Sequence, residues 1–197
     1  MESMLEKIQL VKQKIRKAIF LIFYASSFKK FGQNSTLCYP FKIEGAKFIS
    51  IESKIYINEG AWLLALQKEK TPPKINIGSG TYIGRFSHIV CVRKIEIAKN
   101  VLVSDKVYIS DNLHDYKDIG TPIKSQDVLC KNPIYIGQNS WLGENVCVIG
   151  ASVGKHCVIG ANAVVTTDIP DYSLAVGAPA KVIKKFNQQS KEWEKIN

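Results

Sequence analysis

Three histidines occur in the 197 residues: His88, His114 and His156. Histidine is the side chain whose ordinary titration lies nearest neutrality, so these are the first candidates for proton transfer. His114 lies in the polar stretch DNLHDYKDIGTPIKSQDVLCKNP, residues 111–133, flanked by Asp111 and Asp115. An imidazole there can take a proton from a hydroxyl, and a neighbouring carboxylate can fix its tautomer and support the imidazolium. The same residues also suit a solvated loop with Asp111-Asn112 as a turn. His88 follows Ser87, an inward position of the repeat described below, so it is expected to point outward, at the surface or a subunit contact. His156, in the corner sequence GKH, is expected to be exposed. A zinc site needs three histidines converging on one ion, two of them close in sequence, and these spacings do not supply that. No metal is therefore expected. No Ser or Cys has a recognisable base partner, so no nucleophile for a covalent enzyme intermediate is read.

A second constellation lies near the C-terminus: Gly160-Ala161, Thr166-Thr167 and GAPAKVIKK at 177–185. Small residues let a long ligand lie close to the backbone. Lys181, Lys184 and Lys185 offer point charges for phosphates. Taken alone, the lysines also suit an ordinary solvated face.

These groups need a scaffold, and the sequence supplies a repeat. From Ile136 to Val165, aliphatic residues recur with a step of six: Ile136, Leu142, Val148, then Val153, Ile159 and Val165, the middle step being one short. The period is neither helical nor simply alternating. A unit this short cannot bury its own apolar face, so successive copies must stack. Gly and Asn between the aliphatics suit corners that need positive φ. Three flat faces close a triangular coil, and coils about 4.8 Å apart pair as parallel sheets. The repeats become visible near Ile43. Their inward pairs are Ile49 with Ile51, Ile55 with Ile57, Ala61 with Leu63, Ile75 with Ile77, Thr81 with Ile83, Ser87 with Ile89, Ile95 with Ile97, Val101 with Val103 and Val107 with Ile109. QKEKTPPK at 67–74 must be an excursion from a corner, because Pro72-Pro73 cannot sit in a central strand. Residues 111–133 lack strand periodicity and form the longest interruption, expected as an irregular loop where function concentrates.

Residues 1 to about 30 carry the one long helical pattern, with Leu5, Ile8, Val11, Ile15, Ala18, Ile19 and Ile22 at steps of three and four. Its tail AIFLIFYASSF is too short to span a bilayer and is bracketed by KIRK and KK. It can pack on the core or another subunit, or lie on an anionic membrane surface. The polar tail FNQQSKEWEKIN is expected to form a short amphipathic helix. The organisation is thus a helical segment at 1–40, a repeat domain at 41–185 with its loop at 111–133, and a tail at 186–197. A net charge of +10 suits a polyanionic partner such as a nucleotide phosphate or an acidic membrane. No arginine-rich run or nucleic-acid motif appears, so a nucleic-acid partner is not expected. Five scattered cysteines without a CxxC pair read as reduced thiols in a cytosol, and no cleavable signal peptide is seen.

The repeat IGQNSWLGENVCVIGASVGKHCVIGANAVV resembles the hexapeptide-repeat acyltransferases. That resemblance implies an all-β, left-handed parallel β-helix; the periodicity itself gives only the β-helix, since parallel crossovers are otherwise right-handed. ISDNLHDY is similar to the segment bearing the catalytic His in the O-acetyltransferase branch, which includes maltose, galactoside and polysaccharide O-acetyltransferases. The resemblance implies His114 as general base. Many relatives carry a second His just before it, where this chain has Asp111-Asn112, so the orienting residue, with Asp111 the nearest candidate, stays open. IGANAVVTTDIPDYSLAVGAPAKVIKK resembles the coenzyme A-binding end. It implies Ala161 and Thr166 against pantetheine, Lys181 and Lys184 near the phosphates, Thr167 where relatives often have Lys, and Trp141 at the acyl end. KFGQNSTLCYPFKIEGAKFISI resembles the entry of capsule and lipopolysaccharide O-acetyltransferases, which implies a sugar hydroxyl as acceptor. Together these imply acetyl-CoA as co-substrate and a homotrimer with sites shared between subunits. An N-acetyltransferase for a nucleotide amino sugar and a non-catalytic assembly protein remain the alternatives.

Overall fold

Aliphatic residues two apart, each pair followed by a turn, make strands that bury alternate side chains. In the computed structural model, which describes residues 3–196, these strands build three parallel sheets visited in rotation, the three faces of a prism. The first face holds Lys30–Phe31, Ile49–Ile51, Lys74–Ile77, Lys94–Ile97 and Ile134–Ile136. The second holds Thr36–Leu37, Tyr56–Ile57, Tyr82–Ile83, Leu102–Val103, Trp141–Leu142, Val158–Ile159 and Ser173–Val176. The third holds Lys42–Glu44, Trp62–Ala65, His88–Cys91, Tyr108–Ser110, Cys147–Ile149 and Val164–Val165. Strand pairing thus begins at Lys30, opposite Ser50, ahead of the repeats legible from Ile43.

Every inward residue expected from Ile49 to Ile109 is buried, including Thr81 and Ser87. Burial of each Ile or Val contributes about 1.5–3 kcal/mol. The polar members are satisfied: Thr81 Oγ1 donates to the Ala98 carbonyl at 2.9 Å and accepts from the Val101 amide at 3.2 Å. Ser140 repeats this arrangement with the Gly154 carbonyl and the Cys157 amide.

The three edges of the prism differ. Between the first and second faces, Asn34, Lys54, Gly80, Asn100, Asn139, His156 and Tyr172 all take positive φ, one above another. Gly60, Phe86, Lys106, Asn145 and Asn162 do the same between the second and third. All of these except Asn34, which is in the first coil, donate the amide to a carbonyl one coil below, as Asn100 does to Ser79. The edge between the third and first faces has no such column. The excursion at 66–73 and the long segment after Ser110 both leave from it.

The long segment is not wholly irregular. Asn112–His114 and Val128–Cys130 pair as an antiparallel ribbon, His114 opposite Val128. The tail differs from the expected helix as well: Lys181–Phe186 and Trp193–Lys195 add two antiparallel strands to the second face. The turn between them is held by Asn187 Oδ1, which accepts from the amides of Gln189 and Ser190. The open sheet edge left after Ser173–Val176 offers backbone partners that an isolated helix would forgo.

The N-terminal helix Met4–Phe23 starts with a capping box between Ser3 and Glu6. Only its end packs on the coil, where the Phe20 ring meets Phe31 at 5.3 Å and Phe28 at 6.0 Å. Leu5, Val11, Ile15, Ile22 and Phe23 are exposed. Of the KIRK cluster, the side chains of Arg16 and Lys17 lie outside the described set. No described helix is long and apolar enough to cross a membrane. All five cysteines are free thiols.

Candidate active site

His114 ends the first strand of the ribbon and is exposed. Among the described residues, neither Asp111 nor Asp115 makes a hydrogen bond to its ring. Asp115 instead accepts from the Lys117 amide at 3.1 Å. Asp111 is fully buried, and its carboxylate accepts from the amides of Val92, Arg93 and Lys94, each at 2.8 Å, and from Asn112 Nδ2 at 3.0 Å. Its own carbonyl accepts from the Lys131 amide at 2.7 Å, on the returning side of the ribbon. Asp111 therefore ties the turn of the preceding coil to the base of the ribbon. Its carboxylate makes no hydrogen bond to the His114 imidazole; a buried carboxylate is held where several amides converge.

The outward residues of the second face form one column through the register: Thr36, Tyr56, Tyr82, Leu102, Trp141, Val158, Leu174, Lys184 and Lys195. Trp141 is exposed, and its Nε1 donates to Ser104 Oγ at 2.9 Å, which fixes the ring against the face. Lys184 lies three strand spacings from Trp141, roughly 14 Å.

Lys181 and Lys184 are three apart, a spacing that would put them on opposite sides of a regular strand. A register shift opposite Leu174 and Ala175 places Ile183 as an extra residue. Lys181 then pairs with Val176 and Lys184 with Leu174, two residues of one side. The bulge therefore returns both lysines to the outward face. Lys195, opposite Lys184, joins them; nothing in the tail's sequence had marked it. Among the described residues none of the three has a carboxylate within ion-pair distance.

The small residues divide differently from expectation. A Cβ on Gly160 would meet Val176 Cγ1 at 2.8 Å, so its smallness serves the close approach of the chain's own exit strand. Ala161 is exposed on the edge between the second and third faces. Thr166 and Thr167 are exposed just past Val165, on the edge that releases the ribbon two coils earlier. The structure thus groups Trp141, Lys181 and Lys184 on the second face. His114, Thr166 and Thr167 belong to the edge opposite that face.

His88 points outward between the rings of Trp62 and Tyr108, at 4.8 and 5.4 Å, as its neighbour Ser87 implied. Its Nε2 is buried without a hydrogen-bond partner, and burial holds its imidazole below the usual histidine range.

Residues 133–167 match a family model described as the hexapeptide repeat of succinyl-transferase. Among solved structures, AntD, an N-acyltransferase from Bacillus cereus in complex with dTDP and 3-hydroxybutyryl-CoA, superposes with a TM-score of 0.70 at 17% identity, covering 89% of this chain and 90% of that one. The hexapeptide-repeat containing acetyltransferase VCA0836 of Vibrio cholerae, complexed with acetyl coenzyme A, gives 0.60 at 24% identity over 87% of this chain and 78% of that one. The fold is the left-handed parallel β-helix of the hexapeptide-repeat acyltransferases.

Among curated proteins, probable acetyltransferase Rv3034c of Mycobacterium tuberculosis is 45% identical over 121 residues, 61% of this chain and 39% of that protein. WbbJ of Escherichia coli, named for O-acetyl transfer in lipopolysaccharide biosynthesis, is 37% identical over 120 residues, 57% of this chain and 61% of that protein. Galactoside O-acetyltransferase of Escherichia coli is 29% identical over 162 residues, 79% of this chain and 75% of that protein. The alignments thus span less than two thirds of the length of the first two relatives.

Proposed function

We propose that the protein transfers an acetyl group from acetyl-CoA to a hydroxyl of a sugar or surface-polysaccharide precursor. The observation that carries this reading is the outward column of the second face, where Trp141 stands in line with Lys184 and the bulge brings Lys181 beside it. The lysines suit phosphates and the indole suits the acyl end, at a separation that an extended thioester arm bridges. Ala161, Thr166 and Thr167 flank the same end of the coil. The relatives named for O-acetyl transfer favour a hydroxyl acceptor over an amine.

A free hydroxyl is essentially un-ionised at neutral pH, so its proton leaves as the oxygen attacks the thioester carbonyl. His114 takes that proton. Backbone amides stabilise the oxyanion, the C–S bond breaks, and the coenzyme A thiolate regains a proton from the imidazolium. Asp111 acts as a positioning residue by fixing the ribbon that carries His114.

His114 and the second face lie on opposite sides of one prism, which favours a site shared between copies. A homotrimer closes three such sites and covers apolar faces without leaving an open, propagating contact. The exposed aliphatic residues of the N-terminal helix, with Lys7 and Lys29 nearby, support peripheral contact with an anionic membrane. Thiol release from acetyl-CoA over a panel of glycan acceptors tests the reading. His114→Ala should lower turnover by about 10²–10⁴ while acetyl-CoA binding persists. Full turnover in that variant rules out the mechanism.

A further inference from the structure

A cavity of about 900 Å³ lies between the N-terminal helix and the lower strands of the second face. That volume is at the upper end of the roughly 300–1,000 Å³ typical of small-molecule sites. Its floor is the ring pair Tyr56 and Tyr82, parallel within 5° at 5.9 Å. Asn58 donates from Nδ2 to the Tyr82 hydroxyl, which locks that ring in place. Beside them Arg85 Nε donates to Glu59 Oε1 at 3.1 Å, and both side chains line the space, the guanidinium also lying 3.6 Å from Asp105 Oδ2. The helix closes the far side with Lys12 and Lys14, and among the described residues neither has a carboxylate partner.

Fixed aromatic faces with an adjacent donor–acceptor pair suit the apolar side and the vicinal hydroxyls of a pyranose ring. Unpaired lysines suit phosphate oxygens. The cavity ends at Tyr82, in the same outward column as Trp141. Tyr82, Leu102 and Trp141 are consecutive in the outward column, so the stacked rings lie about 10 Å, two strand spacings, from the indole.

We infer that this cavity binds the acceptor as a saccharide carried on a diphosphate. The sugar rests on Tyr56 and Tyr82, and the diphosphate is held by Lys12 and Lys14. The inference rests on the acetyltransferase reading for its place in the reaction, but the binding stands apart from turnover. The carrier on the other side of the diphosphate is a nucleoside or a polyprenyl chain.

Isothermal titration of the full chain distinguishes these. The probes are UDP-glucose, UDP-galactose and UDP-N-acetylglucosamine, their farnesyl diphosphate-linked counterparts, and the free sugars. At least one diphosphate-linked probe should bind about tenfold or more tighter than its free sugar, and the class that does so names the carrier. The double variant Lys12→Glu/Lys14→Glu should remove that advantage without lowering the melting temperature, since both side chains are exposed. Tyr82→Ala should weaken linked and free sugars alike by about tenfold. Equal binding of linked and free sugars, no saccharide binding, or both variants binding as wild type does overturns the proposal. Acetyl-CoA titrated into the same samples separates the two readings. Normal acetyl-CoA binding without saccharide binding defeats this inference alone, and the reverse defeats the acetyltransferase reading alone.

Discussion

Asp111 Oδ2 lies 2.8 Å from the amide of Lys94, and that contact pins one coil of the prism to the turn below it. The Val92 and Arg93 amides converge on the same carboxylate, and no water-exposed surface remains on Asp111. Asp111→Ala would strand these buried donors at about 1–3 kcal/mol each. We expect a loss of about 3 kcal/mol or more in chemical denaturation, together with lowered turnover as the ribbon loosens. A variant as stable as wild type would show that the turn finds other partners.

Much of this architecture was legible beforehand. The inward columns could be read because Ile, Leu and Val two apart report a strand face wherever it lies. Even the inward Thr81 and Ser87 followed from the frame around them. The ribbon Asn112–His114 with Val128–Cys130 could not be read, since its pairing joins residues far apart in a segment without alternation. The strand Trp193–Lys195 was missed because its polar sequence has helical spacing, and only the waiting edge of Lys181–Phe186 decides against a helix. In the candidate site, His114 stood out by type and setting. Its orienting residue stayed open, with Asp111 as the nearest candidate, because adjacency in sequence says nothing about which way a buried carboxylate points.

The bulge at Ile183 makes a specific claim about the two lysines. Lys181→Ala and Lys184→Ala should each raise the KM for acetyl-CoA more than they lower kcat, because they remove binding common to ground and transition states. The effect should shrink at high salt. Deleting Ile183 removes the extra residue and leaves Lys181 and Lys184 two apart in a regular strand, both still on the outward face, so KM should stay near that of wild type. Steady-state kinetics with an unchanged KM in both lysine variants would leave the cations as a solvated face.

Placement of His114 opposite the second face predicts complementation. Subunits carrying His114→Ala, refolded with subunits carrying Lys181→Ala/Lys184→Ala and assayed at acetyl-CoA well below the raised KM, should show more activity than the two separately, since a mixed interface can join two intact halves. Activity of the mixture no greater than the sum of its parts, or a monomeric mass with full activity by light scattering, refutes the shared site.

Burial lowers the His88 imidazole pKa, while the unfolded chain titrates near the usual value of about 6.5. As pH falls, the unfolded state takes up the proton first. The stability contributed by neutral His88 is therefore complete above about pH 6.5 and is lost as pH drops through that value toward the folded pKa. His88→Phe keeps a ring between Trp62 and Tyr108 but removes the titration. The fall in melting temperature between about pH 7.5 and about pH 5 should be smaller in this variant than in wild type. Identical falls would assign the acid sensitivity to other groups.

The antiparallel strands at the end of the second face have a consequence for solubility. Parallel coils stacked 4.8 Å apart are a template that any further coil can extend, and an uncovered end invites another molecule to continue the ladder. Reversal of chain direction at Gly177–Ala180 breaks that template: Ala180 donates to the Val164 carbonyl, and the Val164 amide is taken by Gly177. The strand that carries Lys181 and Lys184 is thus also the stopper that keeps the prism from growing end to end into a fibre.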